Sequence, residues 1–518
     1  MSVTIPPSRH KSLAIYDDEN RHFRTDHLKD DLGGRSARGG AVTIASQGLK
    51  FITGIAATII LARLLTPQDY GLIGMVVIIV NFVSMFQYLG LSTATVKWAE
   101  LNHQQVSTLF WLNMALSTLI MLVTVASGPL LAWFYSDPRL TWITLGYAIS
   151  ILFTGLLIQH EAILSRQMRF TTLAIVDVSS LLAGLTAALI AAWYGAGYWA
   201  LVLSQLVSTL ARVLGIWTGC KWRPGRPVRG SGVRSILCYG GNLTGFSFIN
   251  FFSRNLDNAL IGRFWGSYQL GLYAKAYQIL LLPMEQINAP IAAVAVPALS
   301  RLADLPERYR KAYLNVLEKI AMITMPGIAF MIATSDWLVL LLLGPQWRDA
   351  GRIFMLLGLA AIIQPVTRTA LWMFTTQGRT RELFKWGAIG GGIAVAAIIA
   401  GLPWGATGVA ASYAAADLCI STPLLFWYVG RKGPVRTSDF YRTIAPSICA
   451  AGCTFAMLFV LRQWLGLFPL FIRLAFAAGI ALGVSLLVFR VLPAGRLALQ
   501  SFAETLSLIK NRKSESVV

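Results

Sequence analysis

The amino-acid sequence predicts an all-α integral membrane protein with about fourteen transmembrane helices. Fourteen separate apolar stretches run from about residue 42 to residue 492, each long enough to cross a bilayer. A hydrocarbon core of roughly 30 Å requires about 20 apolar residues in a helix. The composition agrees, with 56% hydrophobic residues, 13% charged residues and a mean hydropathy of +0.61. A β-barrel would instead show alternating segments of about 10 residues, which this sequence lacks.

The predicted spans follow one another with short connections. In chain order they cover residues 42–64, 71–95, 106–127, 140–160, 171–193, 197–219, 238–262, 268–296, 318–344, 350–376, 382–402, 405–430, 442–462 and 471–491. Their even number puts both termini on the same side of the membrane. The longer loop at 301–317 is predicted to form an amphipathic surface helix.

The formal net charge of +21 is distributed unevenly across the predicted topology. Of the 44 Lys and Arg residues, 32 fall on the side of the N-terminus, 7 on the opposite side and 5 inside spans. Because Lys and Arg accumulate in cytoplasmic loops, both termini are predicted to be cytoplasmic. The positive charge is then explained by topology and by attraction to anionic lipid, and no nucleic-acid partner is predicted.

An internal repeat divides the spans into lobes. Arg63 and Arg263 lie 200 residues apart, as do Gly71 and Gly271, each pair near the end of an odd-numbered span. A second similarity links the segment beginning at Tyr194 with the one beginning at Trp404. Six spans separate the copies, an even number, so the two lobes should be parallel repeats about an axis along the membrane normal.

The repeat gives a domain organisation in six parts. They are a disordered cytoplasmic tail (1–41), an N-lobe of spans 1–6 (42–219), a cytoplasmic linker (220–237), a C-lobe of spans 7–12 (238–430), a helix pair of spans 13–14 (431–492) and a cytoplasmic tail (493–518). Two six-helix lobes suit an alternating-access carrier with a site between them near mid-membrane.

The sequence contains no recognisable catalytic or cofactor motif. Its five cysteines and five histidines do not form a zinc-binding pattern, and the cysteines lie in spans or at their cytoplasmic ends, where disulfides are not expected. No P-loop, HExxH or Gly-x-Ser-x-Gly motif is present. No catalytic residue, metal or cofactor is therefore predicted.

Ionisable residues inside spans are the candidate site residues, because a charge in a span normally faces a cavity or a partner. The predicted cargo-binding cations are Lys50, Arg254, Arg368 and Lys275. The predicted coupling or orienting carboxylates are Asp257, Glu285 and Asp417. Arg254 and Asp257 share a helix face at spacing i,i+3, so they form either a self-neutralising structural pair or a cation oriented by a carboxylate.

Lys50 and Arg368 have no acidic neighbour nearby on their own helix, and this excess of unpaired cations favours an anionic cargo. A phosphate or diphosphate entering a low-dielectric cavity needs counter-charge and hydrogen-bond donors, and Lys and Arg supply both. Asp177 and Arg212 lie shallower in their spans and carry less weight. The Gly-x-x-x-Gly pairs at 387–391 and 479–483 are interpreted as intramolecular packing sites.

Several motifs together resemble the polysaccharide transporter family, the Wzx-type flippases of the multidrug/oligosaccharidyl-lipid/polysaccharide exporter superfamily. They are ARLLTPQDYG at 62–71, GLSTA at 90–94, RQMRF at 166–170, NLDN at 255–258, LGLY at 270–273, PALSR at 297–301 and LGPQW at 343–347. The resemblance covers residues 42 to about 430. It implies fourteen helices in two lobes, a cationic cavity and export of undecaprenyl-diphosphate-linked oligosaccharide, but no individual site residue.

The sequence therefore predicts a flippase in the bacterial inner membrane that serves exopolysaccharide, capsule or O-antigen synthesis and is not an enzyme. A polysaccharide polymerase and chain-length machinery are possible partners. One alternative is a cation-coupled multidrug antiporter of the same superfamily, which should have acidic residues in its cavity. A membrane polymerase or ligase is less favoured, because no large periplasmic loop is present.

Overall fold

The computed structural model of this protein describes residues 32–88, 101–227 and 234–502, and also residues 23, 95 and 504. The side chains of residues 32–33, 35–37, 234–250 and 252–254 lie outside the described part. The predicted tails at 1–41 and 493–518 and the predicted linker at 220–237 are therefore covered only in part.

All regular elements in the described residues are helices. They are α1 (Leu32–Leu64), α2 (Pro67–Ser84), α3 (His103–Tyr135), α4 (Arg139–Arg166), α5 (Phe170–Trp193), α6 (Trp199–Gly219), α7 (Arg234–Ser300), α8 (Pro306–Ala333), α9 (Ser335–Leu342), α10 (Ala350–Ala361), α11 (Gln364–Thr376), α12 (Thr380–Gly401), α13 (Gly405–Ala416), α14 (Thr422–Gly430), α15 (Thr437–Leu465) and α16 (Leu470–Val491). Short 3₁₀ turns follow α2, α9 and α12, and a π-helical turn joins α13 to α14.

Twelve helical stretches in the described residues are long and apolar enough to cross a membrane. Two of them, Asn255–Ser300 and Thr380–Gly430, have 46 and 51 residues. At 1.5 Å per residue, each is about twice as long as a hydrocarbon core of roughly 30 Å. Each is interrupted by a glycine with positive φ, Gly266 at 76° and Gly405 at 72°. If each of these two long stretches crosses the membrane twice, the twelve stretches contain fourteen spans, the number predicted from the sequence.

The helix connections repeat their backbone geometry along the chain. Gly195 and Gly405, which are 210 residues apart, have φ values of 76° and 72°. The same offset relates Met168, at φ 54°, to Gly378, at φ 70°. Met168 is followed by Arg169 and Gly378 by Arg379, and the backbone N–H of each arginine donates to a carbonyl oxygen in the last turn of the preceding helix. This local agreement supports the duplication inferred from the sequence.

The start of α2 shows how the sequence fixes one such connection. Pro67 is the first helical residue, where its missing N–H has no helical partner to lose. Thr66 and Asp69 form a capping box, in which each side chain accepts a hydrogen bond from the other residue's backbone N–H. The chain can therefore reverse between α1 and α2 within two residues.

The beginning of the predicted linker packs on the end of α3. Trp222 is 2% exposed, and its Nε1 donates to Nδ1 of His103 at 3.1 Å. Nε1 of Trp111 donates to the carbonyl oxygen of Gly225 at 2.8 Å. Residues 220–227 are therefore anchored by hydrogen bonds and aromatic packing.

The expected surface helix at 301–317 is wrong as a separate element. Its helical part, from Pro306 onward, is the beginning of α8 itself. Tyr309 and Tyr313 are buried in a core shared with α11, α14 and α15. Arg310 on the same segment donates two hydrogen bonds to Asp439. The buried face of α8 therefore includes Tyr309 and Tyr313, which precede the apolar residues 318–344 from which the span was predicted.

The chain divides into two compact units, Met1–Asn255 and Leu256–Val518. In the first unit, α5 packs against α6 and α1, and α4 packs against α3 and α6. In the second unit, α15 packs against α8 and α16, and α10 packs against α13. The division falls within predicted span 7 (238–262), inside the predicted C-lobe and not at the linker, and the predicted domain boundaries stay predictions.

Candidate functional site

A four-residue charge network connects α1, α4, α5 and α6 within the first unit. Lys50 Nζ donates to Asp177 Oδ2 at 2.9 Å. The other oxygen of that carboxylate, Oδ1, lies 3.1 Å from Nη2 of Arg212. Nε of Arg212 is 3.0 Å from Oε1 of Glu161, an ion pair without hydrogen-bond alignment. We call these four residues the N-unit network.

The N-unit network corrects the expectation that Lys50 lacks a compensating charge. Lys50 lies near the middle of the candidate span Arg38–Leu64, and its partner Asp177 comes from α5. Pairing between helices leaves no signal at i±3 or i±4, so local spacing could not reveal it. Asp177 and Arg212 were visible only as ionisable residues within spans, and Glu161 was missed.

Two cations and two carboxylates make the N-unit network formally neutral. An ionised side chain at the centre of a span costs about 2.5–3.5 kcal/mol on insertion scales, which pairing reduces. The four side chains are 22% to 39% exposed, so none is sealed in the interior. The network therefore combines low net charge with accessible cationic groups.

In the second unit, the predicted carboxylate Asp257 has its own hydrogen-bond donors. Tyr273 donates its hydroxyl to Asp257 Oδ2 at 2.9 Å, and the Asn258 N–H donates to Oδ1 at 2.8 Å. The side chain of Arg254 lies outside the described residues. The choice between a structural Arg254–Asp257 pair and an oriented cation therefore stays open.

Lys275 is buried, with 7% of its surface exposed, and its Nζ donates to Oε1 of Gln278 at 3.0 Å. Arg368 lies 3.9 Å from Glu285, so this predicted cation has a carboxylate from another helix close by. The Glu285 side chain is 60% exposed, which makes this ion pair weak. Two predicted groups, one cation and one carboxylate, are thus brought together.

Asp417 begins the π-helical turn Asp417–Ser421 between α13 and α14. Its Oδ2 is buried and has no hydrogen-bond partner in the described part of the chain. A π-helical turn inside a helix frequently marks a functional site, because it redirects side chains and frees backbone groups. The position keeps Asp417 a candidate coupling carboxylate.

Buried polar groups between α3 and α4 are a second feature that sequence reasoning missed. Asn113 is 1% exposed, and neither of its side-chain polar atoms has a hydrogen-bond partner in the described residues. Gln159 is fully buried and accepts a hydrogen bond from Thr95 at 2.9 Å. Their residue types in apolar spans were the available signal. Among the described residues, no group of three or more His, Cys, Asp or Glu side chains could hold a metal ion.

The fold and these clusters can be compared with known proteins. The family model described as "Polysaccharide biosynthesis protein" matches residues 60–352. The chain belongs to the polysaccharide biosynthesis protein family. The matched region contains the whole LTPQD connection, the Asp177 and Arg212 pair, and the segment from Asn255 to Tyr273.

Curated relatives of this polysaccharide biosynthesis protein share about a quarter of its residues. The teichuronic acid biosynthesis protein TuaB of Bacillus subtilis is 25% identical over 307 residues, 59% of this chain. The lipopolysaccharide biosynthesis protein WzxC of Escherichia coli is 24% identical over 352 residues, 67% of this chain and 71% of its own. The succinoglycan biosynthesis transport protein ExoT of Rhizobium meliloti is 24% identical, with 66% of this chain and 68% of its own covered. The match spans 64% of TuaB, just under two thirds of its length.

Solved structures show the fold of this family member. The lipid II flippase MurJ in an inward closed conformation superposes with a TM-score of 0.64, covering 88% of this chain and 99% of MurJ at 14% identity. An inward-facing multidrug resistance MATE family transporter of the MOP superfamily gives a TM-score of 0.57 and also has 14% identity, with 76% and 96% covered. The chain is therefore a multi-pass membrane protein with a MurJ- and MATE-like transporter fold.

Proposed function

We propose that this protein is a flippase that moves undecaprenyl-diphosphate-linked oligosaccharide across the bacterial inner membrane by alternating access. The observation that carries the proposal is membership of the polysaccharide biosynthesis protein family, together with relatives named for lipopolysaccharide biosynthesis and succinoglycan transport. The cargo would serve exopolysaccharide, capsule or O-antigen synthesis. The flippase is not an enzyme, and a polymerase and chain-length machinery are its proposed partners.

The cationic residues provide the chemistry that such a cargo needs. A diphosphate is stabilised by ammonium and guanidinium donors, and Lys50, Arg254, Arg368 and Lys275 are the proposed binding residues. In the N-unit network, Lys50 and Arg212 share the carboxylate of Asp177. A phosphate group could take the place of that carboxylate without leaving either cation unpaired. Arg212 therefore joins the proposed binding residues.

The proposed carboxylates differ in their surroundings. Asp257 already accepts two hydrogen bonds, which favour its orienting role. Asp417 has an unpartnered buried oxygen, and Glu285 is exposed beside Arg368. These two are the better candidates for coupling transport to an ion. The proposed topology places both termini in the cytoplasm, as the distribution of Lys and Arg predicts.

A cation-coupled multidrug antiporter is the second candidate function, favoured by the fold shared with the MATE transporter and by the carboxylate of Asp417. An antiporter of cationic drugs needs an excess of acidic groups at its site. The N-unit network instead balances its two carboxylates with two cations. A polymerase or ligase is less favoured, because the described loops between spans are short.

Deleting the gene in its native bacterium and complementing the deletion tests the proposed function. We expect lipid-linked oligosaccharide to accumulate in the inner leaflet, cell-surface polysaccharide to be lost, and the wild-type gene to restore it. Unchanged polysaccharide together with increased sensitivity to cationic dyes would favour the antiporter. Accumulation of short translocated oligosaccharides in the periplasm would indicate a polymerase.

A further inference from the structure

An apolar groove lies in the second unit between α8, α16 and the helical segment 493–502 that follows α16. Its cavity is about 390 Å³. Met322 and Phe330 of α8 line one wall, and residues from Ala478 to Phe489 of α16 line the other. Leu499 and Phe502 complete it. Twelve of its thirteen lining residues are carbon-rich side chains or glycine.

The one hydroxyl in the groove does not offer a polar contact. Ser485 donates to the carbonyl oxygen of Ala481 at 2.6 Å, one turn earlier in α16. Its oxygen also lies 3.1 Å from the hydroxyl of Thr454 on α15. A ligand in this groove would therefore meet mostly apolar surface, so the groove suits a hydrocarbon chain.

The groove is about as deep as one leaflet of a bilayer. From Ala478 to Phe489, α16 rises about 16 Å, close to half of a hydrocarbon core of roughly 30 Å. Both α8 and α16 belong to candidate membrane spans. A single acyl chain of a phospholipid has this reach, whereas a polyprenyl tail is much longer than one leaflet is deep.

Two arginines stand at the end of the groove where a headgroup would lie. Arg490 directly follows Phe489, and Arg496 lies between α16 and Leu499. Both are exposed, and neither has a carboxylate partner among the described residues. Nε of Arg496 donates to the backbone carbonyl oxygen of Arg490 at 2.6 Å, which holds the Arg496 side chain at the end of α16 that carries Arg490. Positive charge at the end of a membrane span attracts anionic lipid.

We propose that the groove binds one acyl chain of an anionic phospholipid, whose phosphate is held by Arg490 and Arg496. This lipid is a resident of the second unit and is distinct from the cargo of the proposed flippase. It joins α16 to α8 through apolar contact along one leaflet. The binding of this lipid does not depend on transport, so its test is independent of the proposed function.

Two glycines provide a matched pair of variants. Gly327 lines the groove, and a Cβ added there meets no atom within 4 Å, so Gly327→Leu places a side chain in the groove without a backbone clash. Gly483 on α16 is also exposed, with nothing within 4 Å of an added Cβ, so its interpretation as an intramolecular packing site is wrong in the described residues; it does not line the groove either. Gly327→Leu and Gly483→Leu bring the same gain in helix propensity. They differ in whether the groove is filled.

Thermal unfolding of the purified full-length protein in detergent measures the binding. We expect phosphatidylglycerol to raise Tm by about 3 °C or more, and phosphatidylcholine with the same acyl chains to have much less effect, because a ligand that binds the folded state stabilises it. Gly483→Leu should keep the phosphatidylglycerol shift and Gly327→Leu should lose it. The double variant Arg490→Gln/Arg496→Gln should respond equally to both lipids.

Equal shifts with both lipids in the wild-type protein would contradict the proposed headgroup contact. A full phosphatidylglycerol shift in Gly327→Leu would show that the lipid binds elsewhere. Displacement of bound phosphatidylglycerol from the wild-type protein by undecaprenyl phosphate would assign the groove to the cargo and overturn the proposal.

Discussion

The N-unit network allows the two possible roles of Lys50 to be separated. Lys50 either serves only to neutralise Asp177, or it also binds the diphosphate of the cargo. The variants Lys50→Gln and Asp177→Asn and their combination form a double-mutant cycle. Lys50→Gln leaves Asp177 paired with Arg212, and Asp177→Asn leaves Arg212 paired with Glu161. No single change therefore isolates all of the charges.

The size of the stability changes follows from how many ion pairs each variant removes. Exposed ion pairs contribute about 0–1 kcal/mol, and fully buried pairs cost about 3–5 kcal/mol when one partner is removed. Since these side chains are 22% to 39% exposed, we expect about 1 kcal/mol for Lys50→Gln, which removes one ion pair, and about 2 kcal/mol for Asp177→Asn, which removes two. If the first unit, Met1–Asn255, unfolds as one cooperative unit, Tm changes by about 2 °C per kcal/mol, so we expect it to fall by about 2 °C and about 4 °C. The double variant should be at least as stable as Asp177→Asn alone, because it also removes the Lys50 charge that Asp177→Asn leaves without a carboxylate in the network.

The assay combines Tm, protein abundance in the membrane and polysaccharide export in a deletion strain. If Lys50 binds cargo, Lys50→Gln abolishes export at near-normal abundance, and adding Asp177→Asn does not restore it. Lys50→Arg should retain part of the export, because it keeps the charge. Export restored to wild-type level in the double variant would refute the cargo-binding role and leave Lys50 with a purely structural one.

Three further predictions concern other parts of the molecule. The side-chain hydrogen bond from Arg139 lowers the pKa of Asp137. The stabilisation that this pair gives the folded protein is therefore present at neutral pH and is lost as pH falls through the lowered pKa. Arg139→Gln should lower Tm at pH 7 and have little effect on Tm once the Asp137 carboxyl is protonated. Gly405→Ala places a residue with a Cβ at a backbone position of positive φ and should destabilise the protein by about 1–2 kcal/mol. The control Gly452→Ala lies at an open helical position and should be neutral or stabilising by up to about 1 kcal/mol. Chemical denaturation measures the free energy of unfolding of both variants. An alkaline phosphatase reporter fused after Val518 should be inactive, and a strongly active fusion would place the C-terminus in the periplasm.

The sequence was sufficient for the class and fold of this protein because both depend on local signals. Hydropathy over about 20 residues located the spans, and the transporter fold is confirmed by the superposition on MurJ. The duplication was visible as residue matches, and the shared positive φ of Gly195 and Gly405 supports it. Hydropathy could not distinguish a separate surface helix from the beginning of a span. The helix that begins at Pro306 runs without a break into the apolar residues of the span, so no change in backbone structure marks where those residues begin.

The candidate site could be predicted as a set of residues but not as a set of contacts. Lys50 was identified because a lysine in a span is costly, yet its partner Asp177 lies 127 residues away in the chain. Arg368 and Glu285 were assigned separate roles and lie 3.9 Å apart. Ion pairs between helices depend on helix rotation and packing, which neither spacing nor composition encodes.

Translocation by the purified protein tests the central claim most directly. The full chain is reconstituted in liposomes that contain fluorescently labelled undecaprenyl-diphosphate-linked oligosaccharide, and a membrane-impermeant quencher reports the labelled headgroups in the outer leaflet over time. The account predicts that the quenchable fraction changes faster than in protein-free liposomes and that Lys50→Gln removes this acceleration while remaining folded. A wild-type protein that leaves the labelled lipid in place, but transports a cationic dye in the same liposomes, would contradict the account.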